Sequence, residues 1–324
     1  MSELTFENVS VRYGTGRRAL TAVEDVDLTV PAGSVVGLVG ESGSGKSSLA
    51  RAAVGLHPVS AGRILLDGRP LRRDGRVGRR RPLQMVFQDP YSSLDPRMTI
   101  GASIAEALPR EVARGSAARR DEVARLLGLV DLGAERAVSY PGQLSGGQRQ
   151  RVALARALAG RPDVVIADEI TSALDVSIQG TVLNLVRDLQ RRLRLSMLFI
   201  SHDLAVVRYV ADHVAVMYLG RIVEFGPAEQ VLGDPRHPYT RELLAAAGRG
   251  AGAVLPAAVA DAEPADPHHP PPGCRFHPRC PVGPLVHADR TICREREPAP
   301  TGDRHRTACH FVPGGVGDPT GSVG

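Results

Sequence analysis

One eight-residue stretch of the chain has the residue types and the spacing of a phosphate-binding loop. Glycines let backbone N–H groups close around phosphate oxygens, and the N-terminus of a following helix adds positive potential. We therefore expect Lys46 to reach the β- and γ-phosphates of a nucleotide and Ser47 to bind Mg²⁺. The stretch, called the phosphate loop below, fits the pattern G-x-x-x-x-G-K-[ST] and consists of Gly40, Glu41, Ser42, Gly43, Ser44, Gly45, Lys46 and Ser47.

Lys46 is the only lysine in the chain, although lysine and arginine together number 40. Arginine serves at every other position where the sequence places a long basic side chain. A bulky planar guanidinium is a poor steric replacement for the compact ammonium at this position. The single lysine therefore favours a functional loop over a chance match in a glycine-rich chain.

Polar residues also follow three short apolar runs that are typical of buried strands. Ligands of open α/β sheets bind beyond the carboxyl ends of the strands, so these residues are candidates for the same site. We expect Asp168 to bind Mg²⁺ and Glu169 to polarise a water for attack on phosphorus. A lone histidine is usually structural, but at this sheet edge it is well placed to contact a γ-phosphate. The candidates are Gln88 after residues 83–87, Asp168 and Glu169 after residues 164–167, and His202 after residues 196–201.

Two further features have both a functional and a plain structural interpretation. Ser145 can cap a helix over residues 149–158, and the glycines beside it would leave N–H groups free as a second anion site; the alternative is an ordinary capped turn. Tyr13 ends the first strand pair, where its ring could stack on a base or simply pack on the surface. The first feature, called the signature below, comprises Leu144, Ser145, Gly146, Gly147 and Gln148.

The elements that must position these residues alternate between strands and helices. Together they predict an α/β phosphate-loop core with an antiparallel β subdomain and a helical insertion. Strands are expected at residues 4–12, 24–30, 34–39, 64–66, 83–87, 164–169 and 196–200, helices at 47–56, 100–107, 118–129, 149–158 and 178–194, and a hairpin at 213–226.

Composition excludes several classes of protein. The chain has 324 residues, 43% of them hydrophobic, which supports a substantial core. A net charge of +5 without a basic stripe among aromatics argues against nucleic acid as a partner. No run of 18 apolar residues and no signal sequence is present, so we expect a cytosolic location. The arginine-rich stretch at 69–81 is interpreted as a solvated loop, with contact to acidic lipid or a partner as the alternative.

All four cysteines lie near the C-terminal end. Four thiolates suit zinc or an iron–sulfur cluster, and free thiols remain a third possibility. The closely paired spacing typical of zinc sites is absent, which weakens the zinc interpretation. The cysteines are Cys274, Cys280, Cys293 and Cys309.

Five motifs in this order resemble the ATP-binding cassette subunit of an ABC transporter over residues 3–245: the phosphate loop, Gln88, the signature, residues 164–169 and His202. The resemblance implies a head-to-tail dimer of cassettes with two ATP molecules, each held by one chain's phosphate loop and the other chain's signature. It also implies Tyr13 at the adenine, Asp175 at the dimer interface, Glu169 as the catalytic base and His202 at the γ-phosphate. Lys46 and Gln88 would be catalytic residues together with Glu169 and His202. Ser48 would also contact ATP. Mg²⁺ would be held by Ser47, Gln88 and Asp168.

Two stretches narrow the resemblance to the oligopeptide and dipeptide importers, and to the second of their two cassettes. These are residues 87–98 and His237–Thr240 with the helix that follows. The partners implied are a second cassette chain, two membrane permeases and an extracytoplasmic binding protein. The cysteine tail of such cassettes implies a four-iron four-sulfur cluster. One departure is Ile170, where such cassettes usually have proline; we expect a small effect on local rigidity.

The resulting expectation is an ATPase at the cytoplasmic face of the membrane that powers peptide import. The cargo could also be nickel, glutathione or another small solute. A soluble ABC ATPase acting on nucleic acid or ribosomes, and a regulatory cassette without hydrolysis, are the other classes. The expected division is an ATP-binding domain at 1–247 with its insertion at about 89–158, a linker at 248–272, a cysteine-rich module at 273–312 and a disordered tail at 313–324.

Overall fold

The computed structural model describes residues 1–14, 16, 19–71, 82–89, 93–112, 114–248 and 265–312. All four cysteines and every candidate site residue fall within these ranges. Several expectations concern residues outside them: most of the arginine-rich stretch at 69–81, the middle of the 87–98 motif, most of the linker at 248–272 and the tail at 313–324.

The described residues form eleven strands and nine α-helices, with three short 3₁₀ turns at Ala134–Val138, Pro141–Gln143 and His277–Arg279. The strands are β1 (Leu4–Tyr13), β2 (Leu20–Val30), β3 (Val35–Val39), β4 (Ala61–Leu66), β5 (Arg69–Pro70), β6 (Leu83–Val86), β7 (Val164–Asp168), β8 (Ser196–Ile200), β9 (His213–Tyr218), β10 (Arg221–Pro227) and β11 (Arg306–Thr307). The helices are α1 (Lys46–Ala53), α2 (Ile100–Ala107), α3 (Ser116–Leu129), α4 (Gly146–Ala159), α5 (Val176–Leu193), α6 (Leu204–Val210), α7 (Ala228–Gly233), α8 (Pro238–Ala246) and α9 (Ile292–Glu295).

The larger sheet has seven strands in the order β11-β10-β9-β3-β8-β7-β6. Pairing is parallel from β9 through β6 and antiparallel at β10 and β11. Every residue of β3, β7 and β8 is buried, which explains why their sequences are continuous apolar runs rather than alternating ones. The smaller sheet is antiparallel, in the order β2-β1-β4-β5, as expected for the β subdomain.

The helical insertion consists of α2, α3 and the N-terminal part of α4. Its apolar residues, among them Ile100, Ile104 and Leu127, join one core cluster with the buried faces of α4 and α5. Thr99 caps α2 by accepting a hydrogen bond from the backbone N–H of Ala102. The α/β core with an antiparallel subdomain and a helical insertion is therefore confirmed.

Several element boundaries differ from expectation by a few residues, among them those of α1 and β2. The helix after the phosphate loop was expected to reach Leu56, but α1 ends at Ala53 and Leu56 is exposed. Gly55 has a positive φ of 79°, a backbone conformation that stops a helix and that glycine adopts without strain. The second strand begins at Leu20 rather than 24, because the pairing with β1 continues as far as Tyr13 opposite Leu20.

Residues 273–312, called the cysteine module below, contain little regular structure. Their elements are one 3₁₀ turn, the four-residue helix α9 and the two-residue strand β11. The buried carboxylate of Glu224 on β10 anchors them by pairing with Nε2 of His305 at 2.6 Å. The same carboxylate accepts hydrogen bonds from the N–H groups of Arg236 and His237, just before α8, at 2.7 and 3.0 Å. The module is thus attached through buried polar contacts at the edge of the larger sheet.

No helix within the described ranges is both long enough and apolar enough to span a membrane.

Candidate active site

Four neighbouring strands of the larger sheet end at the candidate site. In the order β3-β8-β7-β6 they lead into the phosphate loop, His202, Asp168 with Glu169, and Gln88 respectively. Because the strands are parallel, their carboxyl ends share one edge of the sheet. Residues up to 162 positions apart in the sequence are therefore brought together by backbone topology alone.

Two glycines allow the phosphate loop to run between the two sheets. Gly45 has φ 106°, and a Cβ there would lie 2.3 Å from the carbonyl oxygen of Ala22 on β2. Gly40 has φ 152°, and a Cβ there would lie 2.1 Å from the carbonyl oxygen of Met217 on β9. The glycine positions of the motif are thus required by close backbone approach as well as by conformation.

The ammonium of Lys46 lies inside the loop. Its Nζ donates to the carbonyl oxygens of Gly40 and Glu41 at 2.9 and 2.7 Å, and to Oγ of Ser44 at 3.3 Å. Burial lowers the pKa of Lys46 below its usual value, while the nearby carboxylates, that of Glu169 first, raise it in part. A buried cation surrounded by loop carbonyls and strand-end carboxylates is held where an anion can approach it.

Ser47 and Asp168 form a contact that suits a divalent cation. Ser47 Oγ donates to Oδ1 of Asp168 at 3.1 Å, joining the first turn of α1 to the end of β7. Burial raises the pKa of Asp168, and the hydrogen bond from Ser47 opposes that effect. A hydroxyl and a buried carboxylate in contact provide the oxygen ligands that Mg²⁺ prefers.

Glu169 lies beside both remaining polar candidates. Its Oε2 accepts a hydrogen bond from Nε2 of Gln88 at 3.0 Å and lies 3.5 Å from Nδ1 of His202. The residue has a positive φ of 47°, and its N–H donates to Ile200 on the neighbouring strand at 3.0 Å. The turn after β7 therefore aims this carboxylate away from Asp168 and towards the ends of β6 and β8.

Tyr13 contacts α1, the helix that follows the phosphate loop. Its hydroxyl hydrogen-bonds Ser48 Oγ at 3.2 Å, and its ring centroid is 4.1 Å from that of His57. The structure thus places Tyr13 next to the first turn of α1. His57 was not predicted from the sequence, because no motif contains it.

The signature forms a well-ordered helix start. Ser145 Oγ accepts from the N–H of Gln148 at 3.3 Å, and Oε1 of Gln148 accepts from the N–H of Ser145 at 3.0 Å, which is a reciprocal capping box. A Cβ at Gly147 would lie 2.6 Å from Ile178 on α5, and Asp175 holds the N-cap position of that helix. Across the part of the chain that the structure describes, no hydrogen bond joins the signature to the phosphate loop.

Ile170 is buried in the core between β7 and the helices, with 1% of its surface exposed. It makes no polar contact with the loop. The expected small effect of the missing proline on local rigidity stays a prediction.

The four cysteines gather in the cysteine module, and none of them forms a disulfide. Three of them, Cys274, Cys280 and Cys293, belong to one apolar cluster. Burial raises the pKa of the Cys274 and Cys280 thiols to about 12, and nearby cysteines act in the same direction. Among the described residues, no three His, Cys, Asp or Glu side chains are already arranged as a metal site. The structure therefore brings the thiols together but does not show a ligand set.

Two residues outside the motifs also touch the phosphate loop. Tyr239 Oη accepts a hydrogen bond from the N–H of Glu41 at 2.9 Å, and Nη2 of Arg279 lies 3.4 Å from Oε1 of Glu41. The only sequence signal for Tyr239 was its place in the His237–Thr240 stretch, which indicated a subfamily and not a contact.

Comparison with known proteins fits this geometry. The sequence profile of the ABC transporter family matches residues 23–172, and that of the oligopeptide/dipeptide transporter C-terminal region matches residues 223–283. A probable peptide ABC transporter ATP-binding protein from Sinorhizobium fredii is 46% identical over 92% of this chain and 84% of its own length. This chain belongs to the ATP-binding subunits of the ABC transporter family. The di/tripeptide transport ATP-binding protein DppF of Pseudomonas aeruginosa is 45% identical over 92% of both chains.

Solved cassettes confirm the fold and the class of reaction. The dimeric, post-hydrolysis cassette MJ0796 bound to ADP and phosphate has a TM-score of 0.60 and 29% identity, covering 69% of this chain and 98% of its own. CbiO1 of Clostridium perfringens, part of an ABC transporter complex, has a TM-score of 0.62 and 27% identity, covering 71% of this chain and 90% of its own. The chain is accordingly an ABC ATPase.

Proposed function

We propose that this cassette hydrolyses ATP to power the import of di- or oligopeptides. The observation that carries the proposal is the match to a di/tripeptide transport ATP-binding protein over 92% of both chains, together with the separate match of residues 223–283 to the peptide-transporter C-terminal region. The convergence of six polar side chains at one sheet edge supports the hydrolytic part. Residues 1–247 would form the ATP-binding domain and residues 273–312 a separate cysteine-rich module, joined by a linker at 248–272.

ATP would enter with its phosphates over the phosphate loop. Lys46 has three N–H donors, and loop oxygens now use them, so binding requires one or more of these contacts to be exchanged for β- and γ-phosphate oxygens. Backbone N–H groups of the loop and the start of α1 supply further donors for the phosphates. Tyr13 would stack on the adenine, since its ring already lies beside Ser48.

Ser47, Asp168 and Gln88 would hold Mg²⁺, since the first two are in contact at the phosphate end of α1. The ion would neutralise charge on the β- and γ-phosphate oxygens when bound. Burial keeps water away from the Asp168 carboxylate. A cation bound between Asp168 and Ser47 would therefore be held strongly, in place of the hydrogen bond that now joins them.

Glu169 is the proposed general base. Its carboxylate would accept a proton from the water that attacks the γ-phosphorus in line. Gln88 orients Glu169 through its amide group at 3.0 Å, and His202 at 3.5 Å would contact the γ-phosphate on the other side. The turn after β7 holds the base in place before ATP arrives, so no reorganisation is needed at the moment of reaction.

The second half of each ATP site would come from another cassette. The signature contacts α5 and the preceding turn within its own chain, and its helix N-terminus leaves N–H groups for an anion. A head-to-tail partner would bring its signature to this chain's loop, with Asp175 at the interface. We propose that this partner is a different ATPase chain, and that the pair acts on two permeases and an extracytoplasmic binding protein from the cytoplasmic face of the membrane.

We also propose that the cysteine module binds a four-iron four-sulfur cluster, with zinc as the other metal that four thiolates suit. The presence of four cysteines in one short module supports this, and three of them, Cys274, Cys280 and Cys293, share one apolar cluster. Binding would require the side chains of Cys274, Cys280, Cys293 and Cys309 to rotate together. Protein purified without oxygen should contain iron and absorb broadly in the visible range; zinc in place of iron, or no metal at all, would contradict the cluster.

The decisive experiment is ATP hydrolysis by this chain, co-purified with its permeases and partner cassette, in the presence of the binding protein. Short peptides bound to that protein should stimulate hydrolysis, and a matched complex carrying Glu169→Gln should show no stimulation. Stimulation by nickel or glutathione instead would contradict the peptide cargo but keep the ATPase. Hydrolysis stimulated only by nucleic acid or ribosomes would contradict the transporter assignment.

A further inference from the structure

The first observation concerns Arg279, which lies one residue before Cys280 in the cysteine module. Its guanidinium pairs with the carboxylate of Glu242 on α8 and lies 3.4 Å from Glu41 of the phosphate loop. Only 15% of the Arg279 side chain is exposed, so this contact is partly shielded from solvent. A residue of the cysteine module thus reaches the first variable position of the loop.

Tyr239 holds the same loop residue through its backbone. Its hydroxyl accepts the hydrogen bond from the Glu41 N–H, and the whole side chain is buried. The ring packs against Tyr218 with centroids 4.5 Å apart and against Phe276 with centroids 5.6 Å apart. Phe276 lies between Cys274 and Cys280, so the aromatic cluster connects the cysteine segment to the loop.

Arg275 supports the loop from a second side. Its guanidinium donates to the carbonyl of Leu219 and pairs with Glu24, and 8% of its side chain is exposed. Gly220, which follows Leu219 in the chain, donates its N–H to the carbonyl of Ser44 in the phosphate loop at 2.8 Å. The turn that Arg275 holds is therefore itself hydrogen-bonded to the middle of the loop.

The loop tip between these two supports has little packing of its own. Gly43 has φ 79°, and a Cβ there would find no atom within 4 Å. Neighbouring atoms do not restrict the backbone of a glycine that lies in open space. The shape of the tip therefore depends on the contacts at Glu41 and Ser44. Lys46 holds both residues from within the loop, and the cysteine segment and Tyr239 support them from outside it.

We propose that Tyr239, Arg279 and Arg275 are positioning residues for ATP, which makes the segment from Cys274 to Cys280 a structural part of the nucleotide site. They hold the phosphate loop in its binding shape by fixing Glu41 and the Leu219–Gly220 turn. They act through the loop and do not touch the nucleotide. The proposal rests on the phosphate loop binding ATP, as the family membership indicates.

The test compares equilibrium binding of Mg–ATP by full-length chains that all carry Glu169→Gln, which prevents turnover. Tyr239→Phe keeps the ring but leaves the Glu41 N–H without its acceptor, and we expect about fivefold weaker binding. Arg279→Ala should weaken binding about threefold, and Arg279→Lys should restore part of the loss. The matched control is Arg192→Ala, which removes an arginine paired with Asp188 on the exposed surface of α5 and should leave binding unchanged.

A purely structural role for these residues would lower the melting temperature without changing ATP affinity at a temperature where each variant is folded. Unchanged affinity in both Tyr239→Phe and Arg279→Ala would therefore overturn the proposal. In chains with Glu169 intact, the same variants should raise KM while kcat changes little, because the supports act before chemistry. A fall in kcat with KM unchanged would contradict the proposal that Tyr239 and Arg279 support the phosphate loop.

A double-mutant cycle separates the direct contact from general damage. Glu41→Ala removes the carboxylate that Arg279 faces, so adding Arg279→Ala to it should cost clearly less than Arg279→Ala alone. Full additivity would exclude the Arg279–Glu41 contact as the route. If the chain that carries only Glu169→Gln does not bind Mg–ATP, the proposed ATP site itself is wrong. If that chain binds Mg–ATP and the further variants bind it equally well, only the positioning proposal is wrong.

Discussion

The ATP site and the cysteine module both gather residues that are far apart in the sequence, but they do so by different means. At the ATP site, four parallel strands end at one edge, and the side chains that follow them meet there. In the module, the longest helix has four residues and the only strand has two, so buried side chains and turns hold the thiols together. One region is positioned by its backbone and the other by its contacts.

This difference predicts how each region responds to change. The ATP site is assembled without a ligand, as the contacts of Glu169, Gln88, Ser47 and Asp168 show. Variants there should lose chemistry and keep the fold. The module places three of its four thiols in an apolar cluster without a finished ligand set, so variants there should change metal content and stability first and ATP binding only slightly.

The largest expected effect is that of Glu169→Gln. Loss of the general base should reduce steady-state ATP hydrolysis by about 10²- to 10⁴-fold, while Mg–ATP binding and the melting temperature stay close to those of the wild type. The control is Glu7→Gln, which removes a carboxylate paired with Arg63 on the surface of the antiparallel sheet and should hydrolyse normally. Near-normal turnover by the Glu169 variant would remove that residue as the base.

Gly45→Ala tests the claim that backbone fit, and not only side-chain chemistry, builds the loop. A methyl group there must displace the Ala22 carbonyl and adopt a φ of 106°, so we expect a destabilisation of about 1–3 kcal/mol and a loss of ATP binding. Gly43→Ala is the matched comparison, since its Cβ meets open space at a similar positive φ. Denaturant unfolding should show a clearly larger loss of stability for Gly45→Ala than for Gly43→Ala; equal losses would contradict the steric account.

Cys280→Ser tests whether a change in the cysteine module affects metal content more than ATP binding. Removing one of four thiols should abolish most of the bound iron in anaerobically purified protein, as measured by metal analysis. ATP affinity should fall by no more than about threefold, the same range as for Arg279→Ala. Loss of all ATP binding in a folded variant would mean that the phosphate loop depends on the thiols themselves, which contradicts a module that acts on the loop only through supporting contacts.

The smallest effect is expected for Ile170→Pro, which restores the residue usual in related cassettes. Ile170 is buried in the core and makes no polar contact with the loop, so ATP hydrolysis should change by less than about twofold. Thermal melting should show the main consequence, since a smaller ring replaces a buried aliphatic side chain. A tenfold change in hydrolysis would show that this position controls the geometry of Glu169.

Much of the ATP site was predictable because its residues are tied to short patterns. The glycines and lysine of the loop, the carboxylates after an apolar run and the capped signature each carry a local signal, and a parallel sheet then brings strand ends together. The contacts of Tyr239 and Arg279 with Glu41 carry no such signal. They join residues 198 and 238 positions apart, and they depend on side-chain packing that residue spacing does not encode.

The cysteine module shows the same limit more strongly. Its four cysteines are obvious in the sequence, yet their spacing left cluster, zinc and free thiols open. The anchoring carboxylate of Glu224 lies in the hairpin predicted at 213–226, but nothing in that pattern indicated its contact with His305. With little regular structure, the arrangement follows from individual buried contacts such as Cys274 N–H to Cys293 carbonyl at 2.9 Å, and none of these is visible as a pattern.

The most direct test of the ATP site uses the fact that Lys46 is the only lysine in the chain. An acyl phosphate of ATP transfers its acyl group to an amine that lies next to the phosphates, and mass spectrometry then locates the modified residue. The account predicts labelling of Lys46 that excess Mg–ATP prevents and that Lys46→Arg abolishes. Absence of label at Lys46, or label there that ATP does not prevent, would contradict the phosphate loop as the nucleotide site.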